Sequence, residues 1–408
     1  MTERGAASAI LVVHVSGRLH APEAGWQSGP ASFDLPQSGD AGQRYFYRKQ
    51  TDRVTRSEFM RMQVTRLLYG TPRDTRRQSK PLGEGVGLGG GQVSWIEVLE
   101  LPVGPTRSGG SLLAIHLDLG ADVSGKDLLE RTSFLGNLRD VSGGFRTELR
   151  EFVEAHVPGV FIADNRFAYV ITHWVPDSLT DSPIAGLPAS TGWARAIAAA
   201  NPAFAASKSL QQPDPAFEVQ LSNSWLASVL NAGAAFVGTS GQSDPFHSIA
   251  RVLVHSVYLD ALLLAMCQEQ GVDYLAAEVG DLWESGRSVS ALTALERDAL
   301  RFRSEVWWTD ISPTIHVNRI LRRFQDERDL PQREGRLRSD VDDMVAYATA
   351  RRVDRTNSLL TLFVIAGFGA GGAALIAEPG GRAVAWGIGL ALFAWVVMKV
   401  IQSRSKRW

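Results

Sequence analysis

Asn357 and Thr361 are the polar side chains whose types and spacing best fit ion chemistry. They lie four residues apart in an otherwise apolar segment, so in a helix they share one face. Where such a face lines a pore, their polar groups can contact a passing ion. The same residue types also hydrogen-bond a neighbouring helix within a membrane. The sequence leaves both uses open.

A cluster of carboxylates precedes these residues in the chain, at Asp340, Asp342 and Asp343. Hard cations such as Mg²⁺ take several oxygen ligands, which makes Asp340 and Asp343 candidate metal ligands. The alternative is that these residues form an ordinary solvated face of a long helix.

Other motifs give no indication of catalysis. A GxGxxG spacing spans Gly85–Gly90, but a strand pattern follows it, whereas a dinucleotide site requires a helix there. His116 with Asp118, and His247 with His255, lack zinc spacing or a third partner. No GxSxG, HExxH or Walker motif occurs. The sequence therefore predicts no enzyme.

The elements that must position the polar residues are the two longest apolar runs, Thr356–Ala377 and residues 383–402, with Lys399 as the only charge in the second. Each is long enough to cross a hydrocarbon core of about 30 Å. The Pro and Gly residues of Glu378–Arg382 separate them. We predict a transmembrane hairpin; a buried hairpin in a soluble domain is the alternative.

Basic residues flank this hairpin on its two outer ends. Arg351, Arg352 and Arg355 precede the first run, and a basic tail at 403–408 follows the second. The positive-inside rule then places both termini in the cytoplasm, at the inner or plasma membrane. The N-terminus is not a convincing signal peptide, because Ala9–Val15 is short and contains His14.

The same arginines bear on ion selectivity. The apolar stripe of the preceding helix, continued upward, reaches Arg351 or Arg352 and then Arg355. A ring of arginines there repels cations and favours an anion path. Either the stripe rotates away and the arginines meet lipid headgroups, or the pore is not a cation pore.

One long helix is predicted from Gln332 to Ala377, because no proline occurs between Pro331 and Pro379. Its lower part carries a 4-3-4 apolar stripe suited to a coiled-coil seam, which predicts a homo-oligomer. The stripe comprises Leu337, Val341, Met344 and Ala348. Two further long helices are expected at 244–270, with Gly271 as a stop signal, and at 288–323, broken at Ser312-Pro313.

This layout resembles the CorA family of divalent-cation channels. The segments that carry the resemblance are "ALERDALRFRSEVWW", "DLPQREGRLRSDVDDMVAYATARRVDRTNSLLTLFVIAG" and "VVMKVIQSRSKRW". The resemblance implies a pentamer in the lipid bilayer that passes Mg²⁺ or another divalent cation. It also implies regulatory divalent ions at stalk carboxylates and a pore-lining helix that begins near Asn357 and Thr361.

The sequence departs from the family at its signature. The family has Gly-Met-Asn at the outer end of the first span, where this chain has "AALIAEPGG". A membrane-anchored sensor, scaffold or stress or defence effector without selective transport is therefore the alternative function. The GxxxG spacing of Gly367 and Gly371, followed by Gly372, predicts close helix packing, either within the hairpin or between subunits.

The first 243 residues are expected to form an α/β or α+β cytoplasmic domain, followed by a long-helix stalk at 244–355 and the hairpin at 356–402. Strands are predicted at 10–15, 95–103, 112–119, in a hairpin over 160–175 and in two or three runs over 217–238. Helices are predicted at 57–68, 126–157 with a break at Gly143-Gly144, and 191–206.

Composition excludes several classes of function. The formal net charge of −1 gives no general attraction to nucleic acid. The single cysteine, Cys267, excludes an intrachain disulfide and a cysteine-based zinc site. Arginine far outnumbers lysine, which favours a bacterial source.

Overall fold

The computed structural model describes residues 3–17, 25–33, 56, 59–71, 74–101, 110–139, 144–163, 168–201, 218–238, 249–285 and 289–375. The chain divides into two compact units. The first comprises Met1–Glu284 with Arg297–Leu337, and the second comprises Ser285–Glu296 with Arg338–Trp408. The mixed α/β class predicted from the sequence is confirmed. The second predicted span, residues 383–402, lies outside the described residues.

Thirteen strands are described, most of them rich in β-branched and other apolar residues. They are β1 Arg4–Gly17, β2 Gln27–Ser28, β3 Gly70–Thr71, β4 Asp74–Thr75, β5 Arg77–Pro81, β6 Gly87–Leu88, β7 Gly91–Glu100, β8 Gly110–Ser124, β9 Val160–Ile162, β10 Tyr169–Pro176, β11 Glu218–Ser222, β12 Trp225–Val229 and β13 Gly233–Gly238. Eleven of them form one sheet, in the order β11-β12-β13-β10-β1-β8-β7-β5-β2 with β6 on β7 and β9 on β1.

The predicted hairpin over 160–175 is wrong in its pairing. Its two strands form as expected, but both pair with β1 instead of with each other. Val160–Ile162 lies against the end of β1, and Tyr169–Pro176 lies against its earlier residues. The long β1 strand supplies a partner for each segment, so the local turn does not decide the pairing. The turn itself, Asp164-Asn165, lies outside the described residues.

The helices are α1 Met62–Tyr69, α2 Gly125–Gly136, α3 Phe145–His156, α4 Ala189–Ala198, α5 Ala250–Leu253, a π-helical turn Val254–Tyr258, α6 Leu259–Ser285, α7 Val289–Glu305, α8 Ile315–Glu327 and α9 Leu330–Leu375. The expected break near Gly144 separates α2 from α3, and the break at Ser312-Pro313 separates α7 from α8. Both breaks are confirmed.

Alternation along the strands gives the sheet two different faces. Ala9, Leu11 and Val13 of β1 belong to an apolar cluster that also contains Leu128 of α2 and Trp193 of α4. The intervening β1 positions point to the opposite face. On that opposite face lie the π-helical turn and the start of α6, which carry the site described below.

Gly271 does not end a helix, contrary to expectation. It lies inside α6, which continues to Ser285. A Cβ added at Gly271 would lie 2.3 Å from the ring of Phe302. The glycine therefore permits close packing of an aromatic ring onto the helix backbone, and the tertiary contact overrides its low helix propensity.

The predicted long helix from Gln332 to Ala377 is confirmed as one element, α9, across its described length Leu330–Leu375. It follows Asp329, a non-glycine residue at φ 51°. Of its apolar stripe, Leu337, Val341 and Met344 are buried within a single copy, and Ala348 is partly buried. The stripe therefore gives no independent support to an oligomer.

Candidate functional site

The structure places the predicted ion-pathway residues near the upper part of α9. Asn357 and Thr361 are both exposed in the single chain, as are Leu359 and Leu360 between them. The Thr361 hydroxyl donates to the backbone carbonyl of Asn357 at 2.8 Å. This is the common bond from a helical threonine to the preceding turn, which satisfies the hydroxyl without a second helix.

For the other predicted residues on the upper part of α9, the structure describes only the helical backbone. Arg355, Gly367, Gly371 and Gly372 all fall within its helical backbone. Their predicted roles in ion selectivity and helix packing stay predictions.

The carboxylates of the predicted metal site are exposed on α9. Asp340, Asp342 and Asp343 all face solvent, and Asp342 lies 3.9 Å from the equally exposed Arg338. Among the residues that the structure describes, no group of three or more His, Cys, Asp or Glu side chains is arranged to hold a metal ion. A site at Asp340 and Asp343 stays a prediction and requires further ligands.

The best-built polar site lies elsewhere, on the second face of the large sheet. The sequence pattern presents His116 and His255 only as possible zinc ligands, with Asp118 and His247, and does not indicate that the two histidines meet. His116 of β8 and His255 of the π-helical turn contact each other through their Nδ1 atoms at 2.9 Å, with both rings buried. Ser8 of β1 and Glu97 of β7 extend the contact in either direction.

These four side chains form one hydrogen-bonded relay. The hydroxyl of Ser8 lies 2.8 Å from Nε2 of His255. At the other end, Nε2 of His116 lies 2.8 Å from Oε1 of Glu97. All four side chains are at most 5% exposed. Phe33 covers both imidazoles, with ring centroids 5.1 Å from His116 and 5.5 Å from His255.

A buried ion-pair network continues from Glu97. The guanidinium of Arg77 donates from Nε to Glu97 and from Nη1 to Asp260, the second residue of α6. Arg56 lies 3.6 Å from the same Asp260 carboxylate and donates to the backbone carbonyl of His255 at 3.2 Å. The hydroxyl of Tyr69, at the end of α1, also donates to Asp260. Two guanidiniums therefore balance two carboxylates.

The direction of the relay follows from its acidic end. Because Glu97 is a carboxylate paired with Arg77, it accepts the proton on Nε2 of His116. In a neutral His116 this leaves Nδ1 as an acceptor, so Nδ1 of His255 donates to it. Nε2 of His255 must then accept from the Ser8 hydroxyl. Every hydrogen bond points from Ser8 toward Glu97.

Electrostatics support this assignment. Burial by itself would raise the pKa of Glu97, but Arg77, His116 and Arg56 together hold that pKa well below its usual range. Burial lowers the pKa of His116, although the Glu97 hydrogen bond opposes this shift. Burial, followed by the nearby His116 and Arg251, lowers the pKa of His255 further. Both imidazoles are therefore neutral at neutral pH.

The turn that carries His255 has an unusual backbone. Residues Val254–Tyr258 form a π-helical turn between α5 and α6. Such turns are rare and occur often at functional sites. Here the turn places His255 on Ser8 and His116, and stacks Tyr258 on Phe236 of β13 with ring centroids 5.3 Å apart.

Chemically, a relay that ends on a carboxylate can withdraw a proton from a hydroxyl. Ser8 is 1% exposed, however, so this conformation does not present its hydroxyl to a substrate. The arrangement is suited to holding and moving protons inside the body of the protein.

A second charged cluster holds the start of α9. Arg328, two residues before α9, lies 3.1 Å from Glu269 of α6. Arg333 pairs with Asp273 of α6, and Arg303 of α7 pairs with Glu334 at 2.9 Å. The helix α6 thus follows directly on the π-helical turn that carries His255, and its own residues Glu269 and Asp273 pair with Arg328 and Arg333.

Sequence reasoning missed the relay because its members are far apart in the chain. A signal was present: Ser8, Glu97 and His116 are each single polar residues within apolar strand segments. Strand alternation places each of them on the side opposite the main apolar cluster. Which strands are neighbours, and the position of His255 above them, depends on long-range pairing.

One helix of the described part, Ala250–Glu284, is long and apolar enough to cross a membrane by length and composition alone. Its most apolar window is 94% buried inside the protein, as expected of a core helix. Its burial and its packing against β13 account for its apolar composition.

No protein-family model and no curated protein matches this chain.

Proposed function

We propose that this chain is an integral membrane protein of CorA-like build that passes ions through its C-terminal segment under the control of its α/β body. Residues 356–377 and 383–402 form the membrane hairpin, with both termini in the cytoplasm. Asn357 and Thr361 line the ion path in an oligomer, which the resemblance suggests has five copies.

The observation that carries this proposal is the continuity of α9. A single helix runs from Leu330, beside the ion pairs of Arg328 and Arg333, to Leu375 in the first apolar run. A helix without a break transmits displacement along its axis better than a flexible linker. Such a helix supports mechanical control of a membrane segment by the cytoplasmic body.

Exposure near the top of α9 supports a lipid or protein environment there. Leu359 and Leu360 are each 56% exposed in the single chain. Leaving such apolar side chains in water forfeits roughly 1.5–3 kcal/mol each relative to full burial. Lipid or a neighbouring subunit would cover this surface.

A second candidate function is a membrane-anchored sensor or effector that does not transport ions selectively. The absence of Gly-Met-Asn from residues 373–381 and the basic residues Arg351, Arg352 and Arg355 favour it. Arginines at an inner mouth oppose cation passage. In this alternative α9 transmits a signal without opening a pore.

The experiment is ion flux into liposomes that contain the purified full-length protein, with Mg²⁺, Zn²⁺, K⁺ and Cl⁻ compared. Divalent flux that is lost in Asn357→Leu but kept in the adjacent control Ser358→Leu would support a cation path along the Asn357 face. Chloride flux lost in Arg355→Gln but kept in Arg297→Gln, an exposed arginine of α7, would support an anion path.

Absence of flux for all four ions would refute transport and favour the anchored sensor or effector. The oligomer must be verified in the same liposomes by crosslinking, so that a failure of assembly is not mistaken for a failure to conduct.

A further inference from the structure

We propose that Ser8, Glu97, His116 and His255 form a proton-sensitive latch, which seats the π-helical turn Val254–Tyr258 on the sheet at neutral pH and releases it in acid. The proposal concerns the α/β body and holds whether or not the protein conducts ions.

The charged side chains buried at and beside the latch already balance one another. Arg56 and Arg77 offset Glu97 and Asp260, and all four side chains are buried. The hydrogen bond between the two imidazoles requires at least one of them to be neutral, because one Nδ1 must donate and the other must accept.

One added proton reverses part of the relay. If His116 binds a proton at Nδ1, His255 must turn from donor to acceptor at its own Nδ1. Its Nε2 then carries the proton and donates to Ser8. The buried site has a net positive charge in this state, which is costly without a further carboxylate.

A second proton cannot be accommodated. With both imidazoles charged, two N–H groups face each other across 2.9 Å. Like charges at this distance in a low-dielectric core repel strongly. The relief is separation of His255 from β8, which requires the π-helical turn to leave the sheet.

Every element around His255 reinforces this behaviour, because the groups nearest to it are neutral or cationic. They are Ser8 of β1, His116 of β8, His173 of β10, Arg56, and Arg251 of the adjoining helix α5. Asp118 pairs with Arg251 at 2.8 Å, and Glu97 is shared between Arg77 and His116. The described surroundings thus place no carboxylate directly on His255.

The chain contains its own reporter of latch opening. Cys267 is its single cysteine, lies on α6 and is buried. Burial raises the pKa of its thiol to about 12, which together with its inaccessibility suppresses its reactivity while α6 is seated. Release of the π-helical turn would loosen the start of this helix and expose the thiol.

The experiment measures the reaction of Cys267 with 4,4′-dithiodipyridine in the full-length protein in detergent at pH 7.5 and pH 5.5. Each rate is divided by the rate for the urea-unfolded protein at the same pH. This ratio removes the effect of pH on the reagent and on the free thiol, and leaves the protection given by structure.

The expected changes follow from the ordinary histidine pKa. A histidine that is neutral in the latch and free when released contributes about a tenfold loss of protection between these pH values. Wild type should therefore lose about 100-fold, and His116→Gln or His255→Gln alone about tenfold. The double variant should lose less than about threefold. The matched control His156→Gln, outside the latch, should behave as wild type.

A wild-type loss below threefold would overturn the proposal, as would a double variant that loses as much as wild type. If the glutamine variants are unprotected already at pH 7.5, Ser8→Ala provides the test. It keeps both histidines but removes the acceptor that the singly protonated latch needs, so that state is less stable and the loss of protection should begin at a higher pH than in wild type. An unshifted profile in Ser8→Ala would also overturn the proposal.

Discussion

His116 and His255 lie 139 positions apart in sequence, yet their Nδ1 atoms meet at 2.9 Å inside the protein. The contact joins the large sheet to the π-helical turn that leads into α6, the helix that carries Glu269 and Asp273.

The first prediction concerns the pH dependence of stability. Burial, with a contribution from Arg328, lowers the pKa of His14 to about 4, and burial lowers those of His116 and His255. Since the unfolded state binds protons near pH 6.5 and the folded state does not, stability is full above pH 6.5 and falls below it. For His14 the loss continues down to about pH 4.

Each of these histidines should reduce the free energy of unfolding by up to about 1.4 kcal/mol per pH unit below pH 6.5. Urea denaturation of the full chain in detergent, followed by tryptophan fluorescence at pH 7.5, 6.5 and 5.5, measures it. A free energy of unfolding that stays constant or rises as the pH falls to 5.5 would contradict the prediction.

The second prediction concerns the buried ion pairs. Glu97→Gln preserves shape but leaves Arg77 with one carboxylate instead of two, so the free energy of unfolding should fall by about 3 kcal/mol or more. Thermal unfolding of the full chain is the measurement. The control Glu305→Gln removes an exposed pair with Arg301 and should change stability by less than about 0.5 kcal/mol. Equal losses in the two variants would contradict the role of burial.

The third prediction concerns Gly271. Gly271→Ala should destabilise the protein by about 1–3 kcal/mol, because the new methyl group overlaps the ring of Phe302. Gly280→Ala is the control on the same helix; nothing described lies within 4 Å of its Cβ position. It should stabilise by about 0.4–1 kcal/mol. Urea midpoints of the two variants should therefore move in opposite directions.

The fourth prediction concerns membrane topology. In a Cys267→Ala background, Gly380→Cys should react with an impermeant maleimide added outside intact cells, whereas Ser403→Cys should react only after lysis. The positive-inside rule is the physical reason. Labelling of Ser403→Cys from outside would refute the proposed orientation.

The fifth prediction concerns assembly. Native mass spectrometry in detergent should give a homo-oligomer, with five copies expected from the CorA resemblance. Because the stripe of Leu337, Val341 and Met344 is buried within one chain, assembly should depend on the upper segment. Gly367→Leu with Gly371→Leu should weaken it, while Gly335→Leu on the exposed lower helix should not. A monomer in the unmodified protein would refute oligomerisation.

The sequence by itself determined the local elements. The apolar alternation of β1, β7 and β8 and the absence of proline between Pro331 and Pro379 were sufficient to predict strands and one long helix. The breaks at Gly144 and at Ser312-Pro313 were also visible. Each of these features depends on backbone preferences of neighbouring residues, which a sequence shows directly.

Only the tertiary structure decided which residues form the site and which contacts several other residues make. The pairing of both hairpin strands with β1, the seating of Phe302 on Gly271 and the meeting of His116 with His255 all join distant segments. These contacts depend on strand order and on which helix covers which face of the sheet. Local periodicity places a polar side chain on a face, but only the folded chain supplies the partner that gives it a function.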